Sequence, residues 1–295
     1  MAEKINYSLN EEDMFEALFL MTLKCNADCD FCCEQGLEKD EDLGKLIDYI
    51  DPLVNILGVK IIDLNGGDPL RRRKKDLVEI AKKTNEAGAR ASISTNSLAL
   101  TESFLDQVRP YMDIVNVSLH GAKEETHDYH MNVPGSHQRI TKNIELLVNK
   151  GFDVHVSSVM LNDNVNEAPE MAKLCYDSGV KSYCMNLLFG RGKGGDLLDE
   201  EQPSREKLLT IRDSLREKYD SMNIYVNESH IGQCILVRPD GMLTGAPQNP
   251  NEKFDGLIEI CKVMDHNLRE KWEEYPFIEN HHKYNREKFK RYLTK

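Results

Sequence analysis

The chain has 295 residues, 50 acidic and 38 basic, for a formal net charge of −12. That is long enough to bury a substantial core, and the surplus of carboxylates disfavours a broad cationic face for nucleic acid. Eight cysteines, no apolar stretch of bilayer length and a polar first ten residues point to a cytoplasmic protein that binds neither nucleic acid nor membrane. In that reducing compartment clustered thiols bind metal more often than they pair.

Strand-length runs rich in Val, Ile, Leu or Ser occupy residues 17–23, 59–64, 90–95, 113–118, 154–160 and 182–188. The first five are each followed by helical spacing, as in Leu77, Ile80 and Ala81, or Ile140, Ile144 and Leu147. Gly88, Gly151 and Gly179 then stop the helix before the next strand. This order predicts an α/β fold with a parallel sheet and helices outside it, spaced as a partial (β/α)6 TIM-like barrel. Such folds gather chemistry at the carboxyl ends of their strands. Beyond residue 200 the pattern changes to a helix over 204–219, a short strand over 223–226 and a hairpin of 234–237 with 242–244. The turn residues Pro239, Asp240 and Gly241 join the hairpin. From Asp265 a charged tail carries Trp272, Phe277, Tyr284, Phe289 and Tyr292, aromatics expected to pack on the barrel. The expected organisation is a barrel core over residues 1–200 and a small α+β appendage over 201–295.

Directly after the first strand stand Cys25, Cys29 and Cys32, with Cys33 behind them. Three thiols at a strand's end can converge on one centre, and soft thiolates select iron–sulfur clusters or zinc. A structural zinc knot wants four closed ligands, yet the next His is His120 and the next Cys is Cys175. Three ligands on a four-position centre leave a position open for an exogenous group, which suits chemistry better than scaffolding. Cys33, Cys175 and Cys184 are expected as small buried apolar residues. After the second strand, Asn65, Gly66, Gly67, Asp68 and Pro69 offer glycines for close backbone approach to a ligand and a carboxylate for an ammonium group. An ordinary strand–helix turn is the alternative.

The spacing of Cys25, Cys29 and Cys32, with Phe31 before the last, resembles the signature of the radical S-adenosylmethionine (SAM) superfamily. The stretch from Glu125, His127 and Asp128 through Gly135 and Ser136 to Asn143 and Ile144 resembles the fourth strand–helix unit of its subfamily with a SPASM- or twitch-like C-terminal region. The resemblance implies one [4Fe-4S] cluster on these three cysteines, with the remaining iron chelated by SAM and Phe31 packed beside the cofactor. It implies an enzyme to which a one-electron donor such as flavodoxin or ferredoxin delivers the electron that cleaves SAM. The 5′-deoxyadenosyl radical then abstracts hydrogen from a peptide or protein substrate, as in a maturase. A small-molecule substrate (a sugar, nucleoside or amino acid) is the alternative, and a non-catalytic metal-stabilised binding protein a remote third. Residues Gly66 to Pro69 are similar to the family's Gly-Gly-Glu-Pro motif, which holds the amino group of SAM, with Asp68 in place of Glu. Thr95 and Asn96, Ser118, and Asn186 follow the third, fourth and sixth strands and resemble segments that approach the cofactor, Ser118 as the ribose contact. His120 is a candidate acid or base, with a satisfied loop His as the plainer alternative. Arg191, in a Gly-rich exit loop, is a candidate anion contact, and Met131 stands where relatives commonly carry Arg. The stretch from Gly232 through Arg238 to Glu259 is similar to the opening of a SPASM domain that keeps only Cys234 and Cys261. A single cluster, and a remnant that lids the strand ends, are therefore expected.

Overall fold

The computed structural model describes residues 16–34, 40–227, 235–246, 253–254 and 256–282. Seven parallel strands follow one another across the sheet. They are β1 (Glu16–Thr22), β2 (Ile61–Gly66), β3 (Arg90–Thr95), β4 (Met112–Ser118), β5 (Asp153–Val159), β6 (Ser182–Asn186) and β7 (Asn223–Asn227). The helices between them are α1 (Leu43–Asp48), α2 (Ile50–Asn55), α3 (Lys74–Glu86), α4 (Glu102–Val108), α5 (Glu124–Met131), α6 (Ser136–Asn149), α7 (Ala168–Asp177), α8 (Gly192–Glu201) and α9 (Arg205–Lys218). All six expected barrel strands are present, with bounds shifted by at most two residues. Gly88, Gly151 and Gly179 end their helices at positive φ.

The two faces of the sheet differ in chemistry, and side-chain alternation along each strand sets the difference. Phe19, Met21, Ile62, Leu64, Val115, Val117, Val154 and Val156 are buried in one cluster with Leu77 and Ile80 of α3 and Ile140, Ile144 and Leu147 of α6. Each such side chain contributes roughly 2 kcal/mol by leaving water, so this face holds the helices on. Asn65, Ser94, Asn116, Ser118, His155 and Ser157 alternate with the core residues and stay partly exposed. Asn116 Nδ2 of β4 reaches Asp63 Oδ1 of β2 at 3.5 Å, across the intervening strand, so this polar face is concave.

Past residue 200 the expected helix begins at Ser204, whose hydroxyl caps it by accepting from Lys207 N. The expected hairpin is formed by β8 (Ile235–Val237) and β9 (Met242–Gly245), followed by β10 (Ile258–Lys262) and the helix α10 (Leu268–Glu273). The strand order is β10-β9-β8-β1-β2-β3-β4-β5-β6-β7. The hairpin thus differs from the expected lid: β8 pairs in parallel with β1, at Leu18 and Phe19. The physical reason is the edge of β1, whose backbone groups would otherwise lack ladder partners. Lys253 and Phe254 do cross the carboxyl ends, where Phe254 N donates to Gly190 O at 2.8 Å and its ring meets Phe189 edge-on at 5.2 Å. Trp272 and Tyr275 are buried and stacked at 5.9 Å, as the tail was expected to pack. Cys234, Tyr284, Phe289 and Tyr292 lie outside the described residues. Among the described residues no ladder closes β7 onto β10, which leaves a partial barrel, and no helix is long and apolar enough to cross a membrane.

Candidate active site

The segment carrying the cysteines leaves the end of β1 and is held from three directions. The β2 end holds it first: Gly67 N donates to Thr22 O at 2.9 Å and Asp68 N to Lys24 O at 2.8 Å. The end of α5 holds it next, with Asp28 N and Asp30 N donating to Met131 O and His130 O, each at 3.2 Å. The buried His130 ring bridges Asp30 at 2.9 Å and Asp163 at 3.1 Å; burial works against its charge, but the two carboxylates outweigh that and raise its pKa. The start of α8 closes the third side, where Arg191 pairs with Glu34 at 3.1 Å and Lys193 with Asp28. A Cβ at Gly192 would come within 2.7 Å of Cys32 O, and one at Gly194 within 2.8 Å of Phe31 O, so these positions demand glycine.

Cys25 is exposed, and Cys29, Cys32 and Cys33 are half-buried. Desolvation pushes the Cys29 thiol up to about 12, and the charges of Cys32 and Cys25 add to the shift. Desolvation also raises Cys25, which feels Asp68 and Cys32, and raises Cys32, which feels Glu34. The thiols therefore lie in one another's field, and together they resist ionisation unless a cationic centre takes them. Among the described residues no group of three or more His, Cys, Asp or Glu is placed to hold a single metal ion; an iron–sulfur cluster takes its thiolates at separate irons. The three-thiol donor set fits such a cluster.

The other expected site residues divide into those that reach this loop and those that support it. Asn96 reaches it: Nδ2 donates to Asn26 Oδ1 at 2.9 Å and lies 3.7 Å from Cys25 Sγ. Phe31 packs edge-on against His120 at 4.6 Å, in a small cluster with Leu161 and Leu188. Ser118 ends β4 on the concave face, level with Ser157 of β5. Asn186 accepts from Asn227 at 3.0 Å and donates to Ser158 O at 3.2 Å.

Four residues singled out in the sequence have the following surroundings. Asp68 is fully buried, and its carboxylate accepts from Leu70 N at 2.8 Å, Thr95 Oγ1 at 2.8 Å and Asn96 N at 2.9 Å. With the buried Thr95 and with Pro69, which opens a 3-10 turn, Asp68 ties the ends of β2 and β3 together. His120 is buried among ring neighbours: burial, then His127 and His130, hold its pKa well below the ordinary value, and its Nδ1 accepts from Val159 N at 3.1 Å, the arrangement of a satisfied loop histidine. Arg191 pairs with Glu34, and Cys33 is half-buried where full burial was expected. Glu34, His130 and Met131, whose Sδ lies 3.5 Å from Cys29 Sγ, also touch the cysteine segment, and of these Glu34 and His130 were not anticipated from the sequence.

A sequence model of the radical SAM superfamily matches residues 19–175, more than half of the chain. The chain belongs to the radical SAM superfamily. Enzymes of this family use a [4Fe-4S] cluster and SAM. The AdoMet-dependent heme synthase of Methanosarcina barkeri is 30% identical over 190 residues, 62% of this chain and 53% of that protein. The chain thus spans about half the length of that relative. A probable GTP 3′,8-cyclase of Saccharolobus islandicus is 27% identical over 257 residues, 84% of this chain and 82% of its own. In fold the chain is similar to Streptococcus suis SuiB bound to S-adenosylmethionine, with a TM-score of 0.70 and 14% identity, covering 91% of this chain and 68% of SuiB. It is also similar to anSMEcpe with bound AdoMet and the Cp18Cys peptide, with a TM-score of 0.69 and 14% identity, covering 92% of this chain and 83% of anSMEcpe.

Within this radical SAM fold the concave face carries one further feature. Asp63 of β2 is 2% exposed, and burial, then the nearby Glu16 carboxylate, push its pKa up to about 6, against the hydrogen bonds of Ser92, Ser94 and Asn65. Between about pH 4 and 6 the folded chain therefore keeps a proton that the unfolded chain has released, and above 6 the fold bears the whole cost of the buried charge. Asp63's contribution to stability falls as pH rises through that window. Asp63→Asn should accordingly gain on the parent at pH 8 relative to pH 4 by on the order of 2–3 kcal/mol in urea unfolding. An equal difference at both pH values would contradict it.

Proposed function

We propose that the chain cleaves SAM reductively at a [4Fe-4S] cluster held by Cys25, Cys29 and Cys32, and that hydrogen is then abstracted from a peptide or protein side chain. The single observation that carries the cofactor assignment is the set of three desolvated thiols on a loop held from three sides. Generating the 5′-deoxyadenosyl radical is the chemistry that cluster and SAM supply when bound. The chain's own work is to hold and to exclude. Asn96 sits beside Cys25, Ser118 presents a hydroxyl where a ribose would lie, and Phe31 covers the loop from the His120 side. Phe189 and Phe254 close over the strand ends, keeping water from a reactive site. In this reading residues 1–200 form the catalytic core and 201–295 the remnant beside it, and a flavodoxin- or ferredoxin-like protein supplies the electron.

Support for a peptide substrate comes from the fold, shared over nine-tenths of the chain with SuiB and with the peptide-bound anSMEcpe. A small-molecule substrate is the second reading, favoured by the similarity to a probable GTP cyclase along 84% of the chain. The test is anaerobic reconstitution with iron and sulfide, followed by reduction in the presence of SAM. 5′-Deoxyadenosine is the expected product before any substrate is added. S-Adenosylhomocysteine alone would overturn the proposal.

A further inference from the structure

The concave face holds a group of side chains that the cofactor assignment leaves unused. At its centre Asp63 accepts from Ser92 Oγ and Ser94 Oγ, each at 2.7 Å, from Asn65 Nδ2 at 2.9 Å and, more loosely, from Asn116 Nδ2 at 3.5 Å. The corresponding interior of a closed TIM barrel is filled by layers of branched aliphatic side chains. A carboxylate buried among neutral donors is a poor substitute for that filling as far as stability goes, because charge is desolvated without a counter-charge. Such a departure from the fold's own interest marks a functional surface.

The charge balance narrows what that surface takes. Among the described residues no ion pair to Asp63 is formed, and the charge acting on it is the like charge of Glu16. Arg90, two residues before Ser92 on the same strand, is paired with Asp113 at 2.7 Å. Ser94, Asn65 and Asn116 remain partly exposed around the carboxylate, so the network opens onto the concavity rather than sealing it. It lies one alternation or two below Ser118 and the β2 end, where the cofactor site is placed.

We infer that the Asp63 network is a substrate subsite and that it takes a cationic primary ammonium group, such as a lysine side chain or a peptide amino terminus. An arriving ammonium group would supply the missing counter-charge, and the Ser94 hydroxyl and the Asn116 carboxamide oxygen are further acceptors for its three N–H groups. A phosphate or carboxylate would instead meet a buried like charge, so the subsite discriminates against nucleotide and organic-acid substrates. The inference deepens the proposed function and rests on its reading that substrate enters the concavity beneath SAM.

The experiment uses the full chain, reconstituted and SAM-loaded, and follows binding of n-butylammonium, 1-pentanol and butyl phosphate by ligand-observed NMR. The ammonium should bind at least about tenfold more tightly than the alcohol, and the phosphate not measurably. Asp63→Asn should keep its cluster absorbance and lose the preference for the ammonium. The ranking on the parent protein decides the matter even if the variant folds poorly. Butyl phosphate binding as well as n-butylammonium, no ammonium binding, or an unchanged preference in folded Asp63→Asn would each overturn the subsite. Failure to form 5′-deoxyadenosine in the same samples would strike the proposed function alone.

Discussion

Replacing Cys25, Cys29 or Cys32 by Ala should remove the visible absorbance of the reconstituted chain and take 5′-deoxyadenosine formation to background, whereas Cys33→Ala should keep both. All three thiols are raised by desolvation, Cys29 also feels Cys32 and Cys25, and Cys25 feels Cys32, so ionisation is disfavoured until a shared cation relieves it. With one removed, the remaining pair cannot hold a cluster that also needs an open iron for SAM. Cys33 is not expected to stand in, because its backbone is packed against the start of α8. The carbonyls of Cys32 and Cys33 pack against Gly192, where even a Cβ would come within 2.7 and 3.1 Å. Cys32 Sγ, in addition, lies 3.3 Å from Glu34 O. Iron and sulfide per chain, measured beside the absorbance, give the decisive readout. A Cys29→Ala protein with a full cluster and normal turnover would remove the assignment.

What was legible in the sequence was what neighbours in the chain decide. Strand periodicity, the helix stops and the cysteine spacing are local, and they survive in the structure with shifts of at most two residues. The roles of Asp68 and Arg191 are decided by residues far along the chain. Nothing near Asp68 announces that Thr95 and Asn96 will take its carboxylate, and Glu34 lies 157 residues from Arg191. The hairpin was visible from its turn residues, but its pairing with β1 follows from which strand edge lies open, a tertiary matter. Asp63 did leave a trace, a lone charge inside an apolar strand. The alternation of Ser92 and Ser94 opposite it left a second. Read together, across the β2–β3 register that sets Asp63 beside Ser92, they mark a polar inner face.

Gly67→Val should cost the chain its cluster, not only its affinity for SAM. Read from sequence, the paired glycines leave room for a ligand to approach the backbone, and a bulky side chain would then weaken SAM binding while sparing the cluster. In the structure that space is taken by the chain itself. A Cβ at Gly67 would stand 2.5 Å from Lys24 O and 2.6 Å from Leu23 O, the carbonyls that lead directly into Cys25. At Gly66, where φ is +136°, a Cβ would overlap the Thr22 carbonyl oxygen. Backbone atoms cannot yield as a side-chain tip can, so the loop must shift and strain the hydrogen bonds from Gly67 N to Thr22 O and Asp68 N to Lys24 O. Two such bonds at about 1 kcal/mol each, with an overpacking cost of about 1–3 kcal/mol, give a loss of roughly 3–5 kcal/mol. For a chain of this size that lowers the melting temperature by roughly 6–20 °C. Gly256→Ala is the control, since a Cβ there meets nothing within 4 Å. The reading is settled by iron content. A Gly67→Val protein with a full cluster but weakened SAM binding would restore the ligand-approach explanation. Loss of iron together with the fall in melting temperature would establish that these glycines serve the seat of the cysteine loop.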